Sequence, residues 1–323
     1  MRRVFVGIVF IAFWFAGCSP TGDIYLKKPT KSYVELKKVP FYPQEAYLCG
    51  PASLKMVAEY WKQKGESIRD VSYETIEKVT FVPSKKGSFQ PQMIAAARQL
   101  GLVAIESTQR ADLFELLDGG IPTIVLLNQG TESIPVWHYA VVIGFDIDRQ
   151  LVILRSGKTK REVMKIATFY EFFKKGGHWK LIAVPTTMVP PGVKESTYLK
   201  AAYDLEQTLD DEMVQGAYES ALKKWPDSLL VKLAAANYFF DKYHYEIAYD
   251  LYDDVLKKDP NDPIALNNMA ETLYYLGEFD EALDFIDRAI KQHGKFKKEF
   301  DDTRRKILHS IESGEIILPN GFN

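Results

Sequence analysis

Apolar and polar positions change rhythm twice along the 323-residue chain, dividing it into a short apolar start, a mixed middle and a helical end. In the middle, Leu54, Val57, Ala58 and Trp61 recur at helical spacing and predict a helix that opens at Cys49-Gly50-Pro51. Pro51 suits a first turn, where no N–H partner is lost. Residues 68–79 read as short and partly helical, and 83–87 as a Pro/Lys/Gly loop. Residues 89–100 form an amphipathic pattern, with Met93, Ala96, Ala97 and Leu100 on one side and Gly101 as its stop. A short strand is expected over 102–105 and a helix over 111–118, closed by Gly119-Gly120. The β-rich runs 121–128, 138–145, 151–155 and 179–185 follow. Helices first and an antiparallel sheet afterwards predict an α+β domain, with the Cys49 helix packed on the sheet. Tyr139 to Ile143 are almost wholly apolar, so that strand is central and His138 stands at its rim.

A linker marked by Pro190-Pro191-Gly192 precedes a nearly continuous helical text that repeats itself. Ala202, Ala236 and Ala270 are 34 residues apart, as are Tyr218, Tyr252 and Ile286, and Ala221, Val255 and Ala289. Pro226, Pro260 and Gly294 close the units. This period resembles tetratricopeptide repeats, most fully in the last unit, whereas Val214 takes the place of a small residue in the first. The expected layout is a mixed domain over 37–188, a linker over 189–196, an all-α solenoid of three repeats over 197–294, and over 295–323 a capping helix (296–312) and a loose tail (318–323). The resemblance implies a partner protein or peptide in the concave groove, with Asn237, Tyr238, Asn267, Asn268 and Tyr274 as residues that could face it.

Composition fits two folded domains: 46% of residues are hydrophobic and 26% charged. A net charge of −2 gives no reason to expect nucleic acid as a partner. Only Cys18 and Cys49 are present, and Cys18 has another expected fate, so no structural disulfide is expected. Arg2-Arg3 precede an apolar run over 4–15, shorter than the ~20 residues of a spanning helix. Phe15-Ala16-Gly17-Cys18 resembles a bacterial lipobox, which implies a signal over 1–18, lipid on Cys18 and a polar tether over 19–36. By resemblance to the lipoprotein sorting rule, Ser19 rather than Asp implies the outer membrane in a Gram-negative cell, on its periplasmic face. An uncleaved anchor or a plain secretory signal is the alternative.

The same text supplies a candidate chemistry. A thiol at a helix start feels the positive end of the dipole and free N–H groups, so Cys49 is expected to have a lowered pKa and act as nucleophile. Gln44, five residues earlier, could donate its amide to an oxyanion, and His138 could serve as general base. Against this, a lone cysteine is more often packing and a lone histidine more often structural.

Gln44, Cys49-Gly50-Pro51-Ala52 and His138-Tyr139-Ala140-Val141-Val142-Ile143-Gly144 together resemble papain-like, bacteriocin-processing cysteine peptidases that cut after double-glycine leaders. The resemblance implies that Cys49 attacks the scissile carbonyl, His138 acts as base and then acid, and Gln44 lines the oxyanion hole. That family also places an Asp or Asn on the strand after the histidine strand, to orient the imidazole. Here the local text is Leu154-Arg155-Ser156-Gly157, which offers Ser156 in place of a carboxylate. Asp146 and Asp148 belong to the turn at the strand's far end, about 20 Å from His138 at ~3.3 Å per residue. His178 either lines the cleft or ends a loop. No metal or cofactor is implied, since His138 and His178 lack a third ligand at a recognisable spacing and no phosphate loop occurs. Two functions follow: a lipid-anchored cysteine peptidase with a recruiting repeat domain, or a binding lipoprotein whose papain-like domain is catalytically weak or dead.

Overall fold

The structure is a computed structural model that describes residues 29–44, 47–109, 112–292 and 296–314. The expected signal, lipidated Cys18 and tail residues 318–323 lie outside the described residues.

The first domain runs β1 (Tyr33–Glu35), α1 (Cys49–Gln63), α2 (Tyr73–Thr80), β2 (Phe81–Val82), a 3-10 turn (Pro83–Lys85), β3 (Gly87–Ser88), α3 (Gln90–Gln99), β4 (Leu102–Ser107), α4 (Leu113–Asp118), β5 (Thr123–Asn128), β6 (Trp137–Asp146), β7 (Leu151–Ser156), β8 (Thr159–Lys165), α5 (Ile166–Lys175) and β9 (Lys180–Pro185). Strands lie in the order β4-β9-β5-β6-β7-β8, with β1 on β6 and β2 paired separately with β3. Every described pairing is antiparallel. The mixed domain with an antiparallel sheet is the one the sequence implies.

β6 sits in the middle of this sheet and is buried from Tyr139 to Phe145. Its Tyr139, Val141 and Ile143 join the core beneath α1, whereas Ala140, Val142 and Phe145 join a second core with α4 and α5. A register shift between Val142 and Gly144 changes the parity of alternation, so Phe145 falls on the second face. Gly144 is obligatory there, because a Cβ would come within 2.2 Å of the Val34 carbonyl oxygen on β1.

Helix α1 buries Leu54, Val57, Ala58 and Trp61, the stripe read from the sequence. Trp61 Nε1 donates to the Ala183 carbonyl at 2.9 Å, tying the helix to β9. Burying Leu54 and Val57 alone removes enough apolar area to stabilise the domain by about 3–6 kcal/mol before entropy is counted. Gly50 permits the close start, since a Cβ would meet Ser88 Oγ at 2.6 Å and Met93 Sδ at 2.8 Å. Helix structure in the 68–79 region is confined to α2, whose Ser72 hydroxyl caps Thr75 N–H. β1, β2, β3, β8 and α5 are additions to the sequence reading.

The second region contains α6 (Glu195–Glu206), α7 (Asp211–Lys224), α8 (Leu229–Asp241), α9 (Tyr245–Lys258), α10 (Pro263–Leu276), α11 (Phe279–Lys291) and α12 (Lys297–Ser313). The periodic alanines Ala202, Ala236, Ala270, Ala221 and Ala289 are all fully buried, where a small residue lets helix backbones approach. Tyr274 is also fully buried, its hydroxyl 3.0 Å from Ser310 Oγ on α12. Its place is therefore the core rather than the groove. Asn237 accepts from Tyr252 at 2.7 Å and from Asn268 at 2.9 Å, and Asn268 accepts from Asn267 at 3.1 Å.

The two regions share one apolar core cluster. Arg98 bonds Asp204 at 2.5 Å and Arg69 bonds Asp210 at 2.8 Å across the join. Ser220 Oγ donates to the Thr186 carbonyl at 2.8 Å, just past the end of β9. Glu66, one turn beyond α1, accepts from Thr187 at 2.7 Å. The helical region thus docks by the C-terminal end of α1, while Cys49 occupies the other end, roughly 20 Å away at ~1.5 Å per helical residue.

Candidate active site

Cys49 is the first residue of α1, and no side chain caps that end. Of its first-turn N–H groups, Pro51 has none and Ala52 donates to the Leu48 carbonyl at 3.2 Å, which leaves those of Cys49 and Gly50 beside the sulfur. Cys49 is half-buried, and the thiol is held above its ordinary pKa by burial, partly opposed by hydrogen bonds from the backbone of Tyr139, of Gly50 and of Cys49 itself. This corrects the lowered pKa expected from the helix dipole: desolvation of the charged form outweighs the dipole and the backbone donors. The bond from Tyr139 also fixes the sulfur beside the peptide that links His138 to Tyr139.

His138 lies one residue inside the start of β6. Burial lowers its pKa, with Glu162 on β8 pulling weakly the other way. Each of the two shifts favours the neutral form of its group. His138 Nε2 lies 3.0 Å from Ser156 Oγ, the last residue of β7. β6 and β7 pair as Val141 with Arg155 and Val142 with Leu154, so Ser156 meets His138 along a diagonal rather than directly across. Asp146 pairs with Leu151 at the other end of β6 and bonds Arg149 N–H at 2.9 Å, the role of a turn residue.

Gln44 is held from two sides by one glycine. Its N–H donates to the Gly157 carbonyl at 3.0 Å, and its Oε1 accepts from the Gly157 N–H at 3.0 Å. Gly157 has φ of +55°, a left-handed conformation that favours glycine. The Gln44 side chain is buried, yet its Nε2 has no hydrogen-bond acceptor among the described residues. A buried amide donor without a partner is costly unless a ligand or water satisfies it.

Gln44, Cys49, His138 and Gly157 line one cavity of about 720 Å³. Ser156 stands behind His138 and is buried. His178 is not among the lining residues; its ring packs edge-on against Phe173, 5.3 Å between centroids, beyond the end of α5.

Three contributors were not read from the sequence. The buried Arg155 guanidinium donates to the Val39 carbonyl at 2.9 and 3.1 Å and to the Lys37 carbonyl at 3.3 Å, fixing the extended segment that leads to Gln44. Tyr139 donates to the Ser88 carbonyl at 3.3 Å and so ties β6 to β3 at the cavity floor. Glu162 supplies a weak field at His138. A buried arginine in an apolar strand is a signal visible in Leu154-Arg155-Ser156; the other two depend on tertiary placement.

Residues 36–183 match the profile described as the Peptidase_C39 like family, and residues 239–307 match that of a tetratricopeptide repeat. The chain carries a C39-peptidase-like domain followed by tetratricopeptide repeats. Among solved structures, a putative C39-like peptidase from Bacillus anthracis is 16% identical, covering 47% of this chain and 97% of its own, with a TM-score of 0.39. The TPR2B domain of yeast Sti1 in its pHsp70 complex is 18% identical, covering 36% and 97%, with a TM-score of 0.34. The Sgt2 TPR domain from Aspergillus fumigatus is 14% identical, covering 41% and 91%, with a TM-score of 0.34. No curated protein matches the chain.

The opposite shifts of Cys49 and His138, which line one cavity, give the C39-like domain a pH signature. Because burial lowers His138 and raises Cys49, the rate of Cys49 alkylation by iodoacetamide is expected to show a low shelf around neutral pH. Its acid limb should fall below the ordinary imidazole value near 6.5, and a second rise should appear above pH 9 as thiolate forms. Ser156→Asp places an anion beside Nε2, which favours imidazolium and raises the shelf by about 10-fold, equivalent to roughly one pKa unit. It also moves the acid limb to higher pH. An unchanged profile in Ser156→Asp would show that Ser156 does not govern His138.

Proposed function

We propose that the C39-like domain is a cysteine peptidase that hydrolyses a peptide bond through a thioester on Cys49. The observation that carries this reading is the unpartnered, buried Nε2 of Gln44 in the same cavity as Cys49 and His138. With His138 Nε2 engaged by Ser156, Nδ1 is left to accept the thiol proton. As sulfur bonds to the scissile carbonyl carbon, that proton passes to His138. The carbonyl oxygen becomes an oxyanion, held by Gln44 Nε2–H and the backbone N–H of Cys49. The imidazolium then protonates the leaving amine as the C–N bond breaks. Water, deprotonated by His138, attacks the thioester; the acyl group leaves as a carboxylic acid and the thiol is restored. An amine in place of water would give acyl transfer.

The repeats are proposed to bind a protein partner or an extended part of the substrate. Their docking at the far end of α1 means that one chain engaging both places must span about 20 Å, or some six extended residues at ~3.3 Å each. The chain is further proposed to be exported, cleaved before Cys18 and held by lipid at the periplasmic face of the outer membrane. Mass spectrometry of the mature N-terminus should find an acylated Cys18, with the protein recovered in the membrane fraction. An unmodified Cys18 contradicts the anchor.

One observation favours a second reading: among the described residues no carboxylate is hydrogen-bonded to His138, which suits a cleft that holds a peptide without cutting it. Incubation of the full chain with a defined peptide mixture at pH 7 separates the two: a peptidase releases new N-termini that Cys49→Ala no longer produces, and a binding cleft retains peptide without releasing any.

A further inference from the structure

The cavity around Cys49 has a charge unlike that of the chain as a whole. Lys85, Lys86 and Lys158 line it, and no carboxylate does among the described residues. The overall formal charge is −2. Lys85 and Lys86 end the turn between β2 and β3, where Lys86 adopts φ of +48°, and Lys158 follows Gly157 in the tight β7–β8 turn. The three ammonium groups thus approach from two different loops on short connections. A cleft lined by one sign of charge concentrates ligands of the other sign and favours their association.

Three large apolar side chains stand at the same cavity. Tyr47, Phe89 and Trp137 are 53%, 47% and 55% exposed, and all three line it. Lys86 Nζ lies 5.8 Å from the Tyr47 ring centroid, which leaves its remaining donors for a ligand. Exposed aromatics clustered on a concave surface mark a place where an apolar group docks. Cations and aromatic faces side by side call for a ligand that carries both features.

We infer that the cleft selects acidic peptides: segments with glutamate or aspartate close to a bulky apolar residue. The apolar residue packs on Phe89 and Trp137, and the carboxylates pair with Lys85, Lys86 and Lys158. The inference rests on the peptidase reading for calling such a peptide the substrate; the ligand class itself comes from the cleft lining.

The test measures binding of two peptides to the full chain carrying Cys49→Ala, which prevents turnover. Both share a Phe-Leu-Ala core; one carries three glutamates and the other three lysines. At 0.15 M salt the glutamate peptide should bind at least about 10-fold more tightly, since each exposed ion pair contributes a factor of ~2–5. K85E/K86E/K158E should abolish or invert that preference, and K158E alone should reduce it by about 2–5-fold without a change in thermal midpoint. Equal affinity, a preference for the lysine peptide, or no binding of either overturns the inference. Cleavage by the unsubstituted chain reports separately on the peptidase reading. Cleavage together with a lysine preference would sink the ligand class alone, and a glutamate preference without any Cys49-dependent cleavage would sink the peptidase alone.

Discussion

Replacing Cys49 with alanine should remove peptide-bond cleavage, by on the order of 10⁴-fold or more, because the acyl intermediate forms on its sulfur. The same change should scarcely disturb the fold. Cys49 is half-buried at a helix end, and deleting its sulfur leaves little cavity, so a loss of no more than about 1 kcal/mol is expected. The measurement is the appearance of new N-termini when a defined peptide mixture is incubated with the native and substituted chains, alongside thermal unfolding of both. Cleavage that survives in a folded Cys49→Ala chain would assign the chemistry elsewhere. The expectation draws on position rather than on an acidic thiol. Burial keeps the sulfur protonated at rest, so its reactivity depends on proton transfer to His138 as the carbonyl arrives.

Gln44→Ala is the second large effect. Removing one oxyanion donor costs about 10²–10³ in kcat, with KM little changed, because the lost interaction strengthens only as negative charge develops. Gln44 also accepts from Gly157 N–H, so alanine leaves that buried donor unpaired and lowers stability by about 1–3 kcal/mol. Gln44→Glu separates the two roles. It keeps an acceptor for Gly157 yet has no amide to donate, and its carboxylate would face the developing oxyanion. Stability should therefore be largely restored while the rate remains at least as low as in the alanine variant. A normal rate in either variant removes Gln44 from the chemistry.

Much of this arrangement was legible before any coordinates. The Leu54–Val57–Trp61 stripe and the Gly-Pro after Cys49 placed the helix start, and the unbroken apolar run from Tyr139 placed a central strand with His138 at its rim. The 34-residue spacing of alanines placed the helical end, and those alanines are buried. Other features were harder to see for identifiable reasons. α5 carries a helical stripe in Ile166, Phe169, Tyr170 and Phe173, but it spans under three turns and lies between β-rich runs. β8 alternates as an edge strand with exposed Lys160 and Arg161, a pattern too polar to stand out from a loop. The direction of the Cys49 pKa went the other way because a sequence shows where a helix begins but not how much water the fold removes there. Tyr274 matches the periodic groove pattern as well as the core pattern, and only the docking of α12 decides between them.

The most direct measurement of the central claim is acid quenching of the full chain during turnover of a cleaved peptide, followed by mass spectrometry of the fragment that contains Cys49. The account predicts an added mass equal to the N-terminal product less one water, bound to Cys49, released by neutral hydroxylamine and more abundant in Ser156→Ala, where the imidazole that must activate water is less well oriented. Cleavage with no acyl group on Cys49, or an acyl group carried by another residue, would contradict it.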